Sequence, residues 1–222
     1  MDASNKTTFE EYAAKEWIVT NGLGGYASQT LSGALTRRYH GLLVASLNPP
    51  TDRKVLVAKT EETLIDGEER IELGTNIFGE VVAPQGYKLL KKFERTPFPA
   101  YHFQVKEMKL VKTIFMCYGQ NTTVVVFENT GKETLHLKSN ILLNHRDYHG
   151  NTFENEYLNF YTEASEAQPL VTYAHYQSPP LFTHHNGKFV SDPNWYKNFH
   201  YPREAERGLL AQEDLFSIGF VH

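Results

Sequence analysis

Residues 101–116 read YHFQVKEMKLVKTIFM. Tyr101, Phe103 and Val105 alternate with the polar His102 and Gln104. After Lys106-Glu107 the apolar set moves to Met108, Leu110, Ile114 and Met116. Side chains of an extended strand point alternately to two faces, so a period of two predicts strands. The parity changes from odd to even across Lys106-Glu107. Partners across a two-residue hairpin loop have opposite parity and face the same way, so the stretch predicts a hairpin with one apolar face.

Working outward, the same signals recur. Val55-Leu56-Val57-Ala58 reads as a short buried strand. Asp66-Gly67 in DGEERIEL is a hairpin-turn pair. TTVVVFE, the turn Asn129-Thr130-Gly131-Lys132 and TLHLKSNILLN predict a third hairpin. Its second strand has Leu135, Leu137, Ile141 and Leu143 on one face, and Thr134, His136, Lys138 and Asn140 on the other. Helical periodicity is scarce after residue 17. Thr7 and Glu10 fit a capping box that would open a short helix over FEEYAAKEW. SPPLFTHHNGK (178–188) and SDPNWYKNFHYPRE (191–204) are dense in Pro, Asn and Gly and read as loops or strand connections with exposed aromatics. Many strands with few helices between them predict an all-β, sheet-on-sheet fold with a short N-terminal helix. No composition shift marks a boundary, so residues 1–222 are expected to form one β-sandwich domain.

Composition narrows the function. The chain has 222 residues, 41% of them hydrophobic, and a net charge of −4. A mildly acidic chain lacks the basic footprint of a nucleic-acid binder. No segment approaches the ~18 apolar residues of a membrane span, and no basic start leads into an apolar core, so a cytoplasmic location is expected. Cys117 is the single cysteine and sits in TIFMCY, which reads as a buried, inert thiol.

Residues 22–27 fit G-x-G-x-x-A, a pattern found at dinucleotide-binding turns, with Asp52 at a plausible distance for a ribose acid. That fold needs a helix after the glycines, and SQTLSGALTRRYHG is a poor helix. The glycines are better read as a tight strand connection presenting Arg37, Arg38 and His40 at one edge. If that segment is extended, Arg38 and His40 point together, and Arg37 and Tyr39 point away. Arginine is a rigid donor fork suited to carboxylates and sugar hydroxyls. The other reading of these arginines is a salt bridge that ties down the loop.

Two further polar groups stand out. Asn144-His145-Arg146-Asp147-Tyr148-His149 ends a clean strand, where sites tend to be built. The plain reading of Arg146 and Asp147 is a mutual or cross-strand ion pair. His145 and His149 are four apart, a metal spacing on a helix but not here, and His184-His185 adds no tight carboxylate set; no metal is expected. Trp195 and Tyr196, followed by Glu204, Arg207, Glu213 and Asp214, could stack and bond a sugar, or could be core and domain interface. Glu213 and Asp214 are adjacent on one strand and face opposite ways, so they cannot form the opposed carboxyl pair of a glycosidase.

EWIVTNGLGGYAS (16–28), SGALTRRYHGLLVA (32–45), LLNHRDYHG (142–150) and the tail WYKNFHYPREAERGLLAQEDLFSIGF (195–220) carry a resemblance. Together they resemble the N-terminal domain of bacterial and archaeal glycogen debranching enzymes of the amylo-α-1,6-glucosidase type, with Ile218-Gly219 where that family usually has Pro-Gly. The resemblance implies a galactose-mutarotase-like β-supersandwich of two large antiparallel sheets. It implies an (α/α)6 barrel, expected beyond His222, that carries the catalytic carboxylates and is absent from this chain. Arg37, Arg38, His40, Arg146, Asp147, His149, Trp195, Tyr196, Glu204, Arg207, Glu213 and Asp214 would then bind α-glucan or meet the barrel. No catalytic residue and no cofactor is expected. The remaining expectations are a free-standing α-glucan-binding module, a purely structural docking domain, and an autonomous sugar epimerase using His145, His149 and a carboxylate as acid and base.

Overall fold

The computed structural model describes residues 8–163 and 169–222. The elements are α1 (Phe9–Ala13), β1 (Glu16–Thr20), β2 (Tyr26–Thr30), β3 (Gly41–Asn48), β4 (Thr51–Asp66), β5 (Glu69–Glu72), β6 (Thr75–Phe78), β7 (Val81–Gln85), β8 (Leu90–Glu94), β9 (Ala100–Val105), β10 (Met108–Met116), β11 (Thr123–Asn129), β12 (His136–Asp147), β13 (Tyr161–Glu163), β14 (Leu170–Tyr173), β15 (Leu181–Thr183), β16 (Phe189–His200), α2 (Pro202–Ala205) and β17 (Gln212–Val221). The fold is all-β and antiparallel. An eight-stranded sheet runs β1-β2-β3-β4-β12-β17-β16, with β5 also paired to β4. A four-stranded sheet runs β11-β10-β9-β8, a three-stranded sheet β13-β14-β15, and β6 pairs with β7.

The hairpin read from residues 101–116 forms, with Val105 opposite Met108. Tyr101, Phe103, Met108, Leu110, Ile114 and Met116 all bury their apolar side chains in one core cluster, with Trp17, Leu42, Leu64 and Leu73 from the eight-stranded sheet and its loops. That cluster is the interior of the sandwich. The Asp66-Gly67 hairpin also forms, with Asp66 opposite Glu69. Val55 and Ala58 are fully buried in β4. The other face of the eight-stranded sheet is buried too. Val44, Val55, Leu142 and Leu215 pack there with Leu35, Phe199 and Tyr201. Burial on both faces explains why β3 reads as a continuous apolar run rather than an alternation.

Four expectations need correction. The helix stops at Ala13, and Trp17 is instead buried in β1; the capping box is Thr8 with Glu11, one residue later than Thr7 and Glu10, and Thr7 lies outside the described residues. The third hairpin does not form. β11 pairs with β10 in the smaller sheet while β12 enters the eight-stranded sheet between β4 and β17, so the turn at residues 129–132 crosses from one sheet to the other. Residues 189–200, read partly as loop, are strand β16. Its polar and Pro residues are accommodated by register shifts between Ser191 and Asn194 and between Tyr196 and Phe199. Cys117 is half-buried, because β10 ends at Met116 and the thiol belongs to the turn that follows.

Candidate functional site

The glycine stretch joins two antiparallel strands, with Thr20 opposite Tyr26. Asn21 closes the loop: its Oδ1 accepts from the backbone N–H of Leu23 and Gly25, and its Nδ2 donates to Asn121. Gly24 has φ +96°, and a Cβ there would lie 2.6 Å from the Pro50 carbonyl oxygen, so glycine is required. No helix follows, which disposes of the dinucleotide reading. Asp52 is exposed and pairs with Lys54.

Arg37, Arg38 and His40 are presented by a different segment, the connection from β2 to β3. It is a turn, with the His40 N–H donating to the Arg37 carbonyl. Strand parity therefore does not hold there. Arg37 and His40 point together toward Glu16: Arg37 Nε lies 2.8 Å and His40 Nε2 3.6 Å from Glu16 Oε1. Nδ1 of buried His40 accepts from the Thr36 N–H, which leaves the ring proton on Nε2, facing Glu16. Contact with His40 holds the Glu16 carboxyl down at about 2, helped by Arg37 and opposed by burial. Burial pushes the His40 pKa down, so the imidazole stays neutral.

Arg38 turns the other way, with Tyr39, into the principal polar cluster. Its Nε and Nη2 each lie 3.2 Å from Oε2 of Glu204, a fully buried carboxylate on α2, and its Nη1 donates to the His149 carbonyl. Arg207 reaches the same Glu204 oxygen at 3.3 Å from a half-exposed position. The Tyr39 hydroxyl lies 3.1 Å from His149 Nδ1.

A second arginine, this one buried, sits directly beneath. The register between β12 and β4 shifts between Leu143 and Arg146, and this bulge re-aims Arg146 under the Arg38 turn. Arg146 grips Glu213 on the neighbouring β17 with two nitrogens, Nε to Oε1 and Nη2 to Oε2. The same Nη2 donates to the Arg38 carbonyl at 2.7 Å. Glu213 also accepts from the Tyr201 hydroxyl and the Thr152 N–H. Burial works to lower the Arg146 pKa, but the Glu213 charge overrides it and the guanidinium is held more firmly protonated. Burial first, then Glu213, pushes Tyr201 well above the ordinary phenol range, so Tyr201 remains a donor. Asp214 faces away from Glu213 and accepts from the N–H groups of Asn198 and Glu154. The Asp147 carboxylate caps the His149 N–H.

Of the twelve candidate residues, Arg38, Arg146, Asp147, His149, Glu204, Arg207, Glu213 and Asp214 therefore belong to one connected region. Arg37 and His40 lie on its Glu16 side. Trp195 and Tyr196 do not join it. Trp195 packs edge-on against Phe216, with ring centroids 5.3 Å apart, and against Phe160, which is core packing. Tyr196 receives a hydrogen bond from Asn140 on the sheet surface. Between Arg146 and its neighbours the cross-strand ion pair holds, with Glu213 rather than Asp147 as the partner.

Sequence reasoning missed several polar groups. Tyr201 read only as one aromatic among many. Lys112 is buried and pairs with buried Glu62 at 2.8 Å, and buried Lys59 donates to Gly33, Thr75 and Asn76. The signal for Lys112 was present: its even number puts it in the inward set with Leu110 and Ile114. No group of three or more His, Cys, Asp or Glu side chains is placed to hold a metal among the described residues. Nor is any helix there long and apolar enough to cross a membrane.

The sequence model of the family described as glycogen debranching enzyme N terminal matches residues 15–222, essentially the whole chain. The chain belongs to that family. Comparison with curated proteins and with solved structures found no match.

Proposed function

We propose that this chain serves a cytoplasmic glycogen debranching enzyme as a non-catalytic module. It packs against the (α/α)6 barrel that hydrolyses α-1,6 branch points and helps hold α-glucan at the mouth of that barrel. The observation that carries this reading is the shape of the arginine network: rigid and buried at its base, open at its rim. Arg207 is 51% exposed while sharing Glu204 with Arg38, whose side chain is 11% exposed. Leu209 and Leu210, on the same short connection, are exposed as well. A half-free guanidinium beside exposed leucines suits a contact with another protein surface and with sugar hydroxyls.

The carboxylates of the network are unsuited to the chemistry itself. A glycosidase acid must reach the glycosidic oxygen, and its partner must stand across a cleft. Glu213 is saturated by Arg146, Tyr201 and Thr152, and Glu204 is wholly buried under two arginines. Both serve to position the arginines. In a chain that joins this domain to its barrel, Arg207→Ala is expected to lower kcat/KM for glucose release from branched glucan about tenfold, with Tm unchanged. Unchanged kinetics would remove the Arg207 rim from the site.

A further inference from the structure

The three-stranded sheet β13-β14-β15 has two unlike faces. Its inner face carries Leu170, Thr172 and Leu181. Leu170 and Thr172 are buried, and Thr172 bonds Thr162 across the pair at 3.1 Å. The sheet is anchored beside this face by Phe160, whose ring stacks on Phe216 with centroids 4.7 Å apart. Its outer face is set by register. Tyr161 is opposite Tyr173, and Val171 is opposite Phe182, so these four side chains point the same way with Glu163. Tyr161 is 60% and Phe182 58% exposed. The adjoining loops expose Tyr157 and Tyr176 as well, and Tyr157 stacks on His175 at 4.5 Å.

We propose that this outer face is a surface site for neutral α-glucan, separate from the Arg38–Arg207 rim. The ligand class rests on the function proposed above; the place and the chemistry rest on the sheet. Between residues 169 and 189, Lys188 is the sole Asp, Glu, Lys or Arg. A face so poor in cations does not suit phosphate or nucleic acid. Val171 is aliphatic, whereas Tyr161, Tyr173 and Phe182 are aromatic, and the two tyrosines carry hydroxyl tips. Flat rings stack on the apolar faces of sugars, and tyrosine hydroxyls bond the sugar hydroxyls. Tyr161 and Phe182 are two strands and two residues apart, roughly 12 Å by sheet geometry, which spaces them along a run of glucose units rather than on one ring. Trp195, partly buried, packs on Phe160 and Phe216 beside this sheet, whereas Tyr161 and Phe182 stand exposed on the sheet itself.

The test is native electrophoresis of the 222-residue chain through gels of increasing glycogen content, with maltoheptaose as competitor. The variants are Tyr161→Ala/Phe182→Ala together and, as a control, Tyr118→Ala, an exposed aromatic on the turn after β10 outside both proposed sites, with folding followed by thermal melts. The wild type and Tyr118→Ala are expected to be retarded alike, and the double variant about tenfold more weakly. An unretarded wild type, or a folded double variant retarded like it, overturns the proposal. So does self-association that is lost in the double variant without any glycogen retardation, because it assigns the face to a second copy. Should the double variant not fold, nitration of the wild-type tyrosines decides. Maltoheptaose protection of Tyr161 and Tyr173 supports the site, and unchanged nitration refutes it. Kinetics of Arg207→Ala in the barrel-bearing chain report on the rim alone, so the two proposals fail separately.

Discussion

Two buried ion pairs tie distant segments together, and they are built differently. Between the sheets, Lys112 on β10 meets Glu62 on β4 at 2.8 Å; Lys112 has one further partner, Thr60, and Glu62 a long contact of 3.4 Å to Ser139. At the sheet end, Arg146 and Glu213 lock two-on-two, and three backbone carbonyl or hydroxyl groups and one N–H complete the set: Arg38, Asp147, Tyr201 and Thr152. The first pair is a charge accommodated inside a hydrophobic core. The second is a jig that fixes the Arg38 turn, the 147–154 loop and the strand leading to α2 relative to one another. A point-charge ammonium can serve the first purpose; only a planar fork with several donors can serve the second.

This contrast is most directly broken at Arg146. Arg146→Ala leaves Glu213 buried with only Tyr201 and Thr152, and breaking one side of a buried pair costs about 3–5 kcal/mol. Chemical denaturation should show that loss, and loss of the Arg38 geometry should accompany it. A cost under 1 kcal/mol would mean that the jig is decorative. The interior pair should behave otherwise. Lys112→Met alone strands Glu62 and should cost about 3 kcal/mol, whereas Lys112→Met with Glu62→Leu should fall within about 1 kcal/mol of wild type, because apolar replacement of both members removes two desolvation penalties. If the double change costs as much as the single, the interior pair also fixes structure and the contrast fails.

The smallest effect concerns pH. His145, beside His175, is held down at about 4, first by burial and then by the His175 and Lys54 charges. Its unfolded pKa is the ordinary 6.5, so the unfolded chain takes up the proton first. Stability from this source is complete above pH 6.5 and drains away as the pH falls toward 4. Glu16, held at about 2, contributes stability above pH 4.5 that is lost below it. His145→Gln should flatten the melting-temperature profile between pH 6.5 and 4 and leave its slope below pH 4 unchanged. A profile identical to wild type would show that His145 does not couple to folding.

The same contrast explains what could be read from the residues alone. β9 and β10 were legible because their alternation, their parity change and their two-residue turn agree, and their pairing is local. The crossing after β11 was not legible. Asn129 to Lys132 carry a genuine turn, with Asn129 accepting from the Gly131 N–H, but which strand lies beside β12 is decided by packing across the whole sheet. The candidate region was legible as a set of residue types, and eight of its twelve members do gather. Their orientations were hidden for one reason: Arg38 lies on a turn, Arg146 follows a bulge, and Asn198 sits at φ +64° in another. Each departure from regular strand geometry cancels the parity rule used to assign faces. Lys112 escaped for the opposite reason, since it obeyed parity while violating the rule that inward positions are apolar.

The strand order has a consequence for how the chain is made. β17 is not an edge strand; it lies between β12 and β16, and β12 in turn covers β4. The hairpins β1–β2, β4–β5 and β9–β10 can form as they emerge from the ribosome. The large sheet cannot close until residues 212–221 are free to slot into its middle. Until then β12, paired on one side with β4, presents a long open edge on the other, and such topologies fold slowly and expose pairing surface while they wait. For this chain, the dangerous interval is the one between completing β12 and delivering β17, and helpers that shield nascent strand edges would act there.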